Sequence, residues 1–152
     1  MNYRGYKDLR VFQLSYKLAM DIFEITKRFP KEEKFSLTDQ IRRSSRSVPA
    51  NIAEAWKKRA YPKMFVSKII DAAGEAGETE VWLDISKDSK YITIEDHKEM
   101  MDGYDEVNRM LYGMVEKHEK FCPKPIKITT TWSLVFTAYC FLFAAYCLVP
   151  TV

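Results

Sequence analysis

The chain has 152 residues, 47% of them hydrophobic and 30% charged, with a net charge of +3, which is the length and composition of one soluble domain large enough for a real core. Its three cysteines (Cys122, Cys140, Cys147) are an odd number without a CxxC pair, which argues against a disulfide framework or a zinc site. The N-terminal MNYRGYKDLR lacks the apolar run of a signal peptide, so a reducing cytoplasm is the expected location. Only five glycines, and long stretches without turn signals, favour an all-α fold.

Asp8 is placed to cap a first helix running to about Arg28. Two adjacent stripes at three-or-four spacing, Phe12/Tyr16/Ala19/Phe23 and Leu14/Leu18/Ile22/Ile25/Phe29, make an apolar face wide enough for two neighbours. Phe29-Pro30 closes the helix, because the residue before proline avoids helical geometry.

The second helix is predicted from Ser36 to about Arg59, with Ser36 and Asp39 forming a capping-box-like start. Leu37, Ile41, Val48 and Ile52 supply its buried side; Ser44, Ser45, Ala50 and Ala53 are small enough to allow close backbone approach. Pro49 costs roughly 3 kcal/mol inside a helix, and a kink is expected rather than a break, since the apolar spacing continues across it. Asn51 and Glu54, one turn on, suit either a ligand or subunit contact or a local bond to the kinked backbone. Arg42, Arg43 and Arg46 crowd one side of the helix, and only Asp39 is placed to answer them locally. Their partner is therefore a carboxylate elsewhere in the fold, a second subunit, or phosphate.

A third helix should begin at Pro62 and run to about Lys87, with Phe65, Ile69, Ala72, Ala73, Ala76 and Leu83 inward. Gly74 and Gly77 each weaken it by about 1 kcal/mol relative to alanine, which tight helix–helix contact would offset. Thr93 with Asp96 three later signals a fourth helix to about Phe121, with Met101, Tyr104, Val107, Leu111, Met114 and Val115 inward. Short connections between long helices imply antiparallel neighbours.

Charge is unevenly distributed along these helices. Residues 40–68 carry eight bases against the single acid Glu54, whereas 71–119 carry fourteen acids against five bases. Basic and acidic helices can attract one another within the bundle or across subunits, or the basic face can meet nucleic acid. His97 and His118 form no HExxH and no Glu-x-x-His pair occurs; no glycine-rich phosphate loop, GxSxG elbow or recognisable Cys–His pair is present. The chain reads as non-enzymatic, with no metal or cofactor.

Composition changes after Cys122. Residues 123–131 read as a linker and 132–152 as a hydrophobic C-terminal tail, whose WSLVFTAYCFLFAAYCLV (132–149) has no charge. As a helix it would be about 27 Å long, near the roughly 30 Å of a bilayer core. It reads as a membrane anchor, an appendage packed on the bundle or in an oligomer, or a translated extension without a selected role.

The segments Thr38-Asp39-Gln40-Ile41-Arg42-Arg43-Ser44 and Ser47-Val48-Pro49-Ala50-Asn51-Ile52-Ala53-Glu54 resemble the signature of the four-helix-bundle proteins encoded in intervening sequences of 23S ribosomal RNA genes. Asp8-Leu9-Arg10-Val11-Phe12, Phe29-Pro30-Lys31-Glu32-Glu33 and Arg109-Met110-Leu111 extend the similarity over roughly residues 6–121; Ala55 and Glu75 stand where that family usually has glycine and serine. The resemblance implies a left-handed up-down-up-down four-helix bundle over residues 1–122, assembled as a homo-oligomer, a pentamer. A weaker similarity to the accessory bundle proteins of diversity-generating retroelements implies a reverse transcriptase as partner and nucleic acid, RNA here, bound through a basic surface. The expected nucleic-acid-binding residues are Arg42, Arg43, Arg46, Lys57, Lys58 and Arg59. The alternative is an oligomeric scaffold without nucleic-acid affinity, tethered to a membrane if the tail spans one.

Overall fold

The computed structural model describes residues 4–123; most of the linker and all of the hydrophobic tail lie outside them. Four helices follow in order, α1 (Arg10–Ile25), α2 (Leu37–Lys58), α3 (Pro62–Asp88) and α4 (Ile94–Glu116), with four short 3-10 turns around them. α1 packs on α2 and α4, α2 on α3, and α3 on α4, which closes an up-down four-helix bundle. Among the described residues no helix is long and apolar enough to cross a membrane.

The helix starts show three ways of satisfying the first amides. At α4 the expected cap forms, Thr93 Oγ1 accepting the Asp96 amide at 3.0 Å. At α2 the Ser36 hydroxyl is not the acceptor. Glu33 takes that role from upstream, its carboxylate accepting from both the Ser36 hydroxyl and the Leu37 amide. At α1 the residue before the helix is Leu9; Asp8 ends the preceding 3-10 turn and accepts instead from the amides of Arg4 (2.8 Å) and Gly5 (3.1 Å). Two helix ends tighten early: Thr26–Arg28 and His118–Lys120 are single 3-10 turns where longer α-helices are predicted.

The core is the second α1 stripe (Leu18, Ile22, Ile25, Phe29, with Leu14 of that stripe only half-buried) against Ile41, Val48 and Ile52 of α2, Phe65, Ile69 and Leu83 of α3, and Tyr104, Val107 and Leu111 of α4. The first α1 stripe is different. Phe12 and Phe23 are half-buried and Tyr16 is 54% exposed, so only Ala19 of that set is core. Between α2 and α3 the close approach comes from hydroxyls: Thr79 Oγ1 lies 2.9 Å from the buried Ser44 Oγ and 2.8 Å from the Glu75 carbonyl. The Tyr104 phenol is fully buried beside them, and burial drives its ionisation far above the ordinary tyrosine range.

α2 passes through Pro49 as one unbroken helix. Ser44, Ser45 and Ser47 donate to the carbonyls of Ile41, Arg42 and Arg43, just upstream of the Ser45 carbonyl that the proline deprives of an amide donor.

The glycines differ from expectation. A Cβ at Gly74 or Gly77 would meet nothing within 4 Å, so neither marks a close contact inside the bundle. The close approach is at Gly103 of α4, where a Cβ would sit 2.7 Å from Leu18 Cδ2 of α1.

Candidate nucleic-acid interface

α2 turns its core residues inward and leaves Asp39, Arg43, Arg46, Ala50 and Lys57 exposed. The first four, with Arg42 and Ser47, line an open concavity of about 510 Å³ on the N-terminal half of the helix. Arg42 is half-buried: its Nε donates to Thr26 Oγ1 at 2.7 Å, and Nη2 reaches the Phe23 carbonyl at 3.4 Å. Arg43 donates to Gln40 Oε1 of its own helix. Arg46 lies over the Phe23 ring at 5.5 Å, Arg42 over the same ring at 4.8 Å, and Lys27 also at 4.8 Å. One aromatic ring thus gathers three cations, each contact contributing about 0.5–1 kcal/mol at an exposed site.

None of the three arginines has a carboxylate within ion-pair distance among the described residues, and Asp39, the local candidate, pairs with none of them. Glu75 of α3 is close enough to feel Arg43, yet burial raises its carboxyl above the usual range and the nearby Glu78 charge adds to that. The first of the three candidate partners, a carboxylate of the same fold, is therefore not used among the described residues. Among the described residues Arg46 donates to none, and Arg42 uses only its Nε and one Nη2 donor.

Lys57, Lys58 and Arg59 do not join this cluster. Eleven residues separate Arg46 from Lys57, roughly 16 Å of helix axis. Lys58 is paired with Glu54, and Arg59 donates to the Trp56 carbonyl at 2.7 Å with its guanidinium 4.4 Å from the Trp56 ring. Only Lys57 of the three is fully exposed. Asn51 and Glu54 face α3, where Lys68 Nζ reaches Asn51 Oδ1 at 3.5 Å and Glu54 Oε2 at 3.2 Å. Buried Pro49 contributes its ring to the groove between α1 and α2.

Sequence reasoning did not single out Phe23 of α1, or Thr26 and Lys27 of the 3-10 turn that follows it, as part of the site. The available signal was Phe23 and Lys27 four residues apart, an aromatic–cation pair at the C-terminal end of α1. Among the described residues, no group of three or more His, Cys, Asp or Glu is arranged to hold a metal ion.

A family model described as 23S rRNA-intervening sequence protein matches residues 7–113. Among solved structures, the chain is similar to a protein of unknown function from the S23 ribosomal protein family of Bacteroides thetaiotaomicron. The two are 32% identical with a TM-score of 0.64, over 70% of this chain and 99% of the other. A comparison with curated proteins found no match.

Proposed function

The chain belongs to the 23S rRNA-intervening sequence protein family, and from that premise we propose that it is a non-enzymatic, homo-oligomeric module that binds RNA through the outer face of α2. The observation that supports this reading is the arginine trio left without an acid partner among the described residues. Guanidiniums are weakly hydrated, rigid forks that suit phosphate oxygens, and Phe23 together with Thr26 holds two of them in place before a ligand arrives. Lys57 would extend the phosphate track along the helix, while Lys58 and Arg59 already have partners within the protomer.

RNA retardation by the full chain tests this. Arg42→Gln with Arg43→Glu leaves Arg46, which borders a second groove, untouched. The wild type should bind with a steep salt dependence, and removing two phosphate contacts should flatten the log–log slope by roughly 1.4 for single-stranded RNA. Unchanged affinity and slope would defeat the reading. The second reading is a scaffold without nucleic-acid affinity, favoured by the excess of acids on α3 and α4, which could answer the same arginines from a neighbouring subunit. On that reading the double variant loses mass on sizing and the wild type does not retard RNA.

A further inference from the structure

α3 is apolar on two opposite sides. Its inner side is the core stripe Phe65, Ile69, Ala72, Ala76 and Leu83. Its outer side carries Ile70, Gly74, Gly77, Val81 and Ile85, spaced four, three, four and four residues apart, the spacing of a single helix face. Ile70 is 54%, Val81 55% and Ile85 40% exposed, and the two glycines open onto empty space rather than onto a neighbouring helix. Each glycine weakens the helix by about 1 kcal/mol relative to alanine, and nothing inside the protomer requires it. Together they form a shallow notch between exposed branched side chains, the shape that admits another backbone closely.

A second unpartnered surface has complementary form. Between α1 and α2 runs an apolar groove of about 260 Å³ lined by Phe12, Tyr16, Met20, Pro49, Ala50 and Ala53, with Arg46 at its edge. Ala50 and Ala53, expected from their size to sit at a helix contact, help line this open groove instead. One pair of opposite charges matches as well as the shapes. On the outer half of α3, Asp71 is paired with Lys68, and Asp84 and Asp88 with Lys87, which leaves Glu78 as the acid without a cation there; Arg46 stands at the edge of the groove. Among the described residues neither Glu78, which accepts from the Trp82 indole, nor Arg46 has an oppositely charged partner.

We infer that the outer face of α3 is the seat for a second copy of this chain, which offers its α1–α2 groove, with Glu78 of one copy answering Arg46 of the next. The two surfaces are different patches of the same molecule, so the contact is heterologous: repeated, it closes into a ring or runs on as a filament. Arg42 and Arg43 are not among the groove residues and stay available to RNA. The inference rests on the homo-oligomeric part of the proposed function and adds the surfaces that make it.

The test is the mass of the full chain by sizing with light scattering, without RNA, alongside far-UV circular dichroism. Wild type should be oligomeric. Val81→Asp and Gly77→Leu, each at a side chain or backbone position open to solvent, should raise the dissociation constant at least tenfold while leaving the helical signal intact. Glu78→Arg and Arg46→Glu should each do the same, and the two combined should recover wild-type mass. A monomeric wild type would overturn the inference. So would an unchanged mass for Val81→Asp, because copies would then be held by another surface, the C-terminal tail included. Failure of the charge swap to recover mass would overturn the pairing of these two faces. RNA retardation is read separately, so an oligomer that ignores RNA sinks the proposed function and leaves this inference standing.

Discussion

Two glycines of α4 should respond to the same substitution with opposite sign. Gly113→Ala places a Cβ where nothing lies within 4 Å, so only helix propensity acts; the gain is about 1 kcal/mol, or about 2–4 °C in melting temperature for a domain of this size. Gly103→Ala gains the same propensity but sets its Cβ 2.7 Å from Leu18 Cδ2 and 3.1 Å from Leu18 Cδ1. Leu18 is 3% exposed, so its branches have little room to turn away, and overpacking of this kind costs about 1–3 kcal/mol. The net effect at Gly103 runs from none to a loss of about 2 kcal/mol, so the two variants should differ by about 1–3 kcal/mol. Urea unfolding followed by circular dichroism measures both. Shortening the obstructing side chain supplies the internal control: Leu18→Ala should cost less in the Gly103→Ala background than in the wild type, because the overlap disappears with the leucine branches. An equal rise for both glycine variants would mean that α1 and α4 do not approach closely at Leu18, and the packing described for that helix pair would be wrong.

Thr93→Ala should lower stability by about 1 kcal/mol, because the Asp96 amide loses its acceptor; a melting temperature unchanged within error would remove Thr93 as the cap of α4. Glu33 has its carboxyl held below the ordinary 4.5 by its bonds to the Ser36 hydroxyl and the Leu37 amide. Its contribution is therefore present above 4.5 and lost as pH falls through the folded value, so the advantage of wild type over Glu33→Gln should vanish in acid and be constant above about pH 6. Glu80 behaves oppositely, burial and the Asp105 charge raising its carboxyl. The ionised form is the disfavoured one in the fold, so Glu80→Gln should be the more stable protein at neutral pH. That difference should shrink as acid protonates the wild-type carboxyl; a gap that widens in acid would reverse the assignment.

The four helices and their approximate extents could be read from the chain, because turn chemistry and three-or-four apolar spacing are local properties. Ile22, Ile41, Ile69 and Leu111 are buried in the structure on the stripes that the spacing indicates. The cap at Thr93 was legible for the same reason, its acceptor and donor lying within one turn. The caps at α1 and α2 were not. Whether Asp8 or Ser36 serves the following helix depends on the preceding 3-10 turn, which competes for the same side chain.

The arginine trio was visible as a cluster, since residues three and four apart on a helix are neighbours whatever surrounds them. Its lack of an acid partner was not visible, because that depends on where the other three helices place their carboxylates. The same limit applies to the glycines. Sequence shows that Gly74, Gly77, Gly103 and Gly113 each weaken a helix, but it does not show which one touches a neighbour, and only Gly103 does so within the bundle. Periodicity tells a residue which side of its own helix it occupies. Which helix, solvent or second molecule lies on that side is set by how all four axes pack together, and that was decided by the tertiary structure alone.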